Sequence, residues 1–215
     1  VSIAMDLAPA LRAVRLTRSD HQQTIGGRRF DVPVELFTRW QIKPPIPSES
    51  GRIRPTFTMN DLGGTAGLRR WLQVSTVHRS HISRAVSSFA APHLWVSDRL
   101  LNATAALEGF DRVSHRRADL HVRLDRLGNE AGERFDRLVG DVAIWSRSVA
   151  RERHNIAHHN PGVLMSGERQ LYLAQSAYYL LVLCALRAVK APEGVLDSVA
   201  ESQSFLWLAE RLRSS

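Results

Sequence analysis

Leu138-Val139-Gly140-Asp141-Val142-Ala143-Ile144-Trp145-Ser146-Arg147-Ser148-Val149-Ala150-Arg151-Glu152-Arg153-His154-Asn155-Ile156-Ala157-His158-His159-Asn160-Pro161-Gly162 is the stretch that decides the fold class. Leu138, Val142, Trp145, Val149 and Ile156 recur at spacings of four, three, four and seven. With 3.6 residues per turn, that spacing keeps them on one helical face. The pattern predicts a long helix from about Glu133 to His159-Asn160, where Pro161-Gly162 cannot continue it.

Downstream, Ser166 is the expected N-cap of a helix running to about Val189. Its second half is apolar nearly all round, which suits a central helix or one in an oligomer interface. A last helix is expected from about Leu196 to Arg211, using Val199, Phe205, Leu206 and Leu208. Upstream, helical signals begin at Asp61. Gly63-Gly64-Thr65 offers a start, and Leu68, Trp71, Leu72 and Val74 begin an apolar face. The pattern runs toward Phe89, with a break among its serines, and Pro92 ends it. A second helix follows over roughly 94–110 with Leu94, Leu101, Ala105 and Leu107 as its stripe. A short one over 118–127 is expected to stop at Gly128. Five or so helices without convincing strand pairing predict an all-α bundle.

The N-terminal part reads differently. Ile3, Leu7, Leu11 and Val14 suit a short amphipathic helix, and residues 30–42 mix β-formers with Pro33 and read as extended or irregular. Pro44-Pro45-Ile46-Pro47-Ser48-Glu49-Ser50-Gly51 is a linker or surface loop. The expected organisation is therefore residues 1–50 as a short irregular segment, either the tail of an upstream domain or an N-terminal appendage with its linker, and residues 60–213 as the helical domain.

Charge points to a polyanion. Lys and Arg number 29 against 21 Asp and Glu, a formal net charge of +8, and only Lys43 and Lys190 are lysines. Arginine grips phosphate oxygens with two parallel N–H groups, so the balance favours a polyanionic partner, with a solvated basic surface as the bland alternative. The single cysteine, Cys184, excludes an internal disulfide and fits a buried thiol in a reduced, cytoplasmic setting. The longest apolar run, Ala177 to Leu186, covers about half the roughly 20 residues of a membrane span. No membrane partner is expected.

Arg151 to Asn160 concentrates ionisable groups at the end of a helix. Four residues separate Arg153 from His158, His154 follows the arginine, and His159 satisfies a similar spacing. This pattern resembles the signature of the HEPN ribonuclease family: arginine, a polar residue, then histidine after four to six intervening positions. Leu68 with Trp71-Leu72, and Arg99-Leu100-Leu101 through Ala106-Leu107-Glu108, resemble the first helices of the C-terminal HEPN domain in ApeA-type anti-phage defence proteins. Such proteins most often carry Asn after the arginine; here His154 stands there with Asn155 next. The resemblance covers roughly residues 60–213. It implies a homodimeric, metal-independent endoribonuclease, with catalytic Arg153 and His158, supporting His154, Asn155, His159 and Glu108, and no cofactor.

The chemistry suits those residue types. RNA is cut without metal when its 2′-hydroxyl attacks the neighbouring phosphorus. An imidazole moves protons near neutral pH, and a permanently charged guanidinium stabilises the phosphorane. Other readings stand beside this one. Arg153 could pair with a carboxylate at a polar helix end, Glu108 could pair with an arginine, and the domain could bind RNA without cutting it. His154 and His158 are spaced for one zinc ion, but Asn155 replaces the glutamate base of a His-Glu-x-x-His site and no third ligand follows. His78, His81, His115 and His121 read as surface residues. Trp71, Trp95, Trp145 and Trp207 read as core, and Trp40 could pack the two parts together.

Overall fold

A computed structural model describes residues 16–25, 28–34, 55–91 and 93–214. Of the expected helix over residues 1–16 only Leu16 is among the described residues, and the linker at 44–51 and the packing of Trp40 lie outside them. The chain divides into two units, a small one within residues 8–53 and a larger one that holds residues 54–215.

In the first unit, β1 (Leu16–Ile25) pairs antiparallel with β2 (Arg28–Val34), from Ile25 opposite Arg28 to Leu16 opposite Val34, with an irregularity between Thr17 and Gln22. Extended backbone is one of the two readings of the stretch from residue 30, and β2 shows it as far as Val34; the pairing with β1 is not expected from the sequence. Pro33 is tolerated because a two-stranded sheet leaves one side of each strand unpaired.

The second unit is all-α. Its described residues hold nine α-helices: α1 (Gly64–Val77), α2 (Arg79–Ala90), α3 (Val96–Arg112), α4 (Leu120–Ala131), α5 (Glu133–Val139), α6 (Val142–Ala157), α7 (Gly167–Ala188), α8 (Glu193–Ala200) and α9 (Gln203–Ser214). The six stretches read as helices after residue 60 become nine because three of them are each divided. The first breaks at His78, between α1 and α2. The long helix is two: Gly140, at φ 80°, closes α5, and the Asp141 carboxylate accepts from the Ile144 N–H at 2.8 Å to open α6. The apolar face nevertheless continues across the break, with Leu138, Val142, Trp145 and Val149 all buried. The last breaks at Glu201-Ser202, between α8 and α9.

Gly128 does not end α4. The helix passes through it and closes at Gly132, at φ 76°. Gly128 allows close approach instead: a Cβ there would meet Val142 Cγ1 at 2.4 Å.

Ser166 caps α7 as its sequence predicts, accepting from the Arg169 N–H. α7 is central, packing against α2, α3, α4, α5 and α9. Its 22 residues are long and apolar enough to cross a membrane by length and composition, longer than the apolar run alone suggests, and 78% of its most apolar window is buried inside the unit. Core burial therefore accounts for its apolar surface, and a dimer interface is not needed to explain it. Cys184 is buried in this helix, and burial pushes its thiol far above the ordinary range.

Polar groups also enter the core. Asp111 of α3, 1% exposed, takes Arg123 Nη1 at 2.9 Å and Arg126 Nη2 at 2.7 Å, which ties α4 to α3. His78 is buried and stacked on Phe110 at 4.0 Å, and His115 lies between Asp111 and Glu130. Neither is the surface residue expected; His121 is exposed. Trp145 is core, with its Nε1 donating to Ser176. Trp71 is half-buried, whereas Trp95 is 79% and Trp207 43% exposed. Leu68 and Leu72 are also exposed. Helical spacing locates a face and does not say whether another element covers it.

Candidate functional site

The end of α6 is a capping motif built from the residues of the signature. His158 N–H donates to the His154 carbonyl, His159 N–H to Ile156, and Asn160 N–H to Asn155. The last two bonds form a Schellman pair, which needs one residue in the left-handed region. Glycine is usual there; here it is His159, at φ 53°. The motif fixes the backbone that carries both histidines.

Behind it, α6 is fastened to the bundle by a carboxylate. Glu152 has no exposed surface. Its Oε1 accepts from Gln170 Nε2 at 2.7 Å and from the Met165 N–H at 3.0 Å. Its Oε2 is buried with no hydrogen-bond partner. Asn155 Nδ2 reaches the Val163 carbonyl at 3.5 Å, so Asn155 faces the loop that follows the helix. The structure gives Asn155 a place in holding that loop.

Two faces then carry the ionisable groups. Ile144, Arg147, Arg151, His154 and His158, at spacings of three and four, form the exposed side of α6. The His154 and His158 rings are 4.3 Å apart at 46°. Arg153 lies on another side. It shares a face with Ile156 and Ala157, three and four positions on, and is about 140° from His158 around the helix. Arg153 is half-buried and has no hydrogen bond or ion pair among the described residues. The carboxylate partner that a purely structural arginine would have is therefore not seen among them.

On the side of Ile156 lies an open groove of about 670 Å³, lined by Ser97, Asp98, Leu101, Ile156, His159 and Gln170 among others. The structure thus brings His154 and His158 together on one side, and puts His159 on the groove with Arg153 on the adjoining helix face. No protein-family model, curated protein or solved structure matches this chain.

Glu108 is elsewhere on α3, paired with Arg112 at 2.6 Å one turn on. No group of three or more His, Cys, Asp and Glu side chains converges as metal ligands among the described residues. Sequence reading missed Glu152, Asp98, Ser97 and Gln170. Asp98 and Gln170 look like ordinary first-turn residues of α3 and α7, and only the packing of α3 against α6 and α7 brings them to the same groove.

Proposed function

We propose that this protein is a metal-independent endoribonuclease of the HEPN type, working as a cytoplasmic effector of anti-phage defence by cutting RNA. One observation carries the reading. Over the last turns of α6, Arg147, Arg151, Arg153, His154, His158 and His159 collect with no ion pair among the described residues. Arginines without carboxylate partners are poised for phosphate, and the histidines beside them can take part in proton transfer. The all-α unit and the net charge of +8 agree with it.

In the reaction, one imidazole takes the 2′-hydroxyl proton as the 2′-oxygen bonds to phosphorus. The bond to the 5′-oxygen breaks, and a second imidazole protonates that oxygen. The products are a 2′,3′-cyclic phosphate and a 5′-hydroxyl. Arg153 stabilises the charge on the phosphorane oxygens. His158 and His159 supply the two imidazoles. Because Arg153 and His158 point apart, two copies related by a twofold axis serve one phosphate better than one copy. That arrangement is the homodimer of the proposal.

The exposed stripe Arg147, Arg151, His154 and His158 also favours a second reading, an RNA-binding module that does not cut. Incubating RNA with the purified chain in excess chelator separates them. The expected products carry cyclic phosphate and 5′-hydroxyl ends. Binding without cleavage supports the second reading, and cleavage that needs a metal overturns the mechanism.

A further inference from the structure

The groove beside the end of α6 has the chemistry of a base-reading site. Its volume, about 670 Å³, lies in the range of roughly 300–1,000 Å³ typical of ligand sites. Leu101, Ile156 and Leu164 give it apolar walls, against which the flat faces of a base can lie. Set among them are Ser97, Asp98 and Gln170.

Two of these polar groups have unused acceptors. The half-buried Asp98 carboxylate has no hydrogen bond or ion pair among the described residues; only its backbone carbonyl is engaged, by Asn102. Gln170 is 7% exposed, and its Nε2 is committed to Glu152 and the Met165 carbonyl. Its Oε1 has no partner among the described residues. A groove with free acceptors selects a ligand with adjacent donors.

We propose that this groove takes a guanine base of the RNA, with Asp98 as the residue that selects it. A carboxylate presents two parallel acceptors. Guanine alone among the four bases offers two adjacent donors on its pairing edge, N1–H and the exocyclic N2–H. Adenine and cytosine offer one donor group beside an acceptor. Uracil offers one N–H between two carbonyls, which repel a carboxylate. The Ser97 hydroxyl, beside Asp98 in the chain, is a donor for guanine O6. The second N2–H has the Gln170 Oε1 as its acceptor. His159 lines the same groove, so a bound base lies next to a candidate proton-transfer group.

The inference rests on the ribonuclease reading for the polymer, and mononucleotides test the base site separately. The full chain is titrated with each of the four nucleoside 3′-monophosphates, which share a phosphate and differ in the base. RNA cleavage sites are then mapped. The guanine nucleotide is expected to bind roughly ten- to a hundred-fold more tightly than the others, the usual discrimination of a two-bond contact. Asp98→Asn, which replaces one acceptor by a donor, is expected to abolish that preference with an unchanged thermal melting curve. Cuts in RNA are expected beside guanosine. Guanine preference without RNA cleavage upholds the base site and sinks the nuclease reading. Equal binding of all four nucleotides, or a preference that survives Asp98→Asn, overturns the inference even if RNA is cut.

Discussion

His159 and Lys190 are held in the same backbone conformation, at φ 53° and 54°, each closing a helix where glycine is the usual residue. Lys190 N–H donates to Arg187 and Ala191 N–H to Leu186, repeating at the end of α7 the pair of bonds that closes α6. A side chain in this region costs about 1 kcal/mol relative to glycine. At His159 the strain falls on a proposed proton-transfer group; at Lys190 it falls far from the signature in sequence. His159→Gly and Lys190→Gly should therefore each stabilise the fold by about 1 kcal/mol in denaturant unfolding. Only His159→Gly should also lose RNA cleavage. Equal cleavage by both variants would remove His159 from the chemistry.

Gly128 is where α6 comes close to α4. Gly128→Ala would put a methyl group 2.4 Å from Val142 Cγ1 and 3.3 Å from Phe135 Cδ1. We expect a loss of about 1–3 kcal/mol, the usual cost of overpacking a filled core. Unchanged unfolding would mean that the glycine does not serve this approach.

Stability should also fall on acidification through His78. Burial lowers its pKa below the ordinary value, and the neighbouring His81 lowers it further. His81 is itself lowered, by burial and then by Arg84. A lowered imidazole pKa means that the unfolded chain binds more protons as pH drops through about 6.5. The stabilisation is thus full above that pH and is lost as pH falls toward the folded pKa. Asp111, His115, Glu130 and Arg187 line the same cavity as His78. His78→Phe, which keeps an aromatic ring beside Phe110, should flatten the slope of stability against pH below about 6.5. An unaltered slope would exclude His78 as its source.

Much of the helical unit was legible because burial writes a period into the sequence. The stripe from Leu138 to Val149 and the Ser166 cap appear in the structure where their residues predict. The divisions were less legible. Gly140-Asp141 is a stop followed by a start, but the apolar stripe runs through it unbroken and hides it. Gly128 reads as a stop because a glycine that ends a helix and one that admits a neighbour look alike in sequence; the φ of Gly132 and the position of Val142 distinguish them. At the candidate site, Arg153 and the histidines were visible as a cluster. Their division between two faces follows from helix phase and the cap at His159. Glu152 could not be singled out, because its partners Met165 and Gln170 lie 13 and 18 residues away.

The most direct test compares RNA cleavage in excess chelator by the wild-type chain, Arg153→Ala, His158→Ala and His159→Ala, each first shown to be folded. Arg153→Ala removes charge stabilisation from the phosphorane, and each histidine variant removes a proton-transfer group. Cleavage by the wild type should persist in chelator, and each variant should be slower by roughly a hundred-fold or more. A folded Arg153→Ala protein that cuts RNA at the wild-type rate would contradict the account.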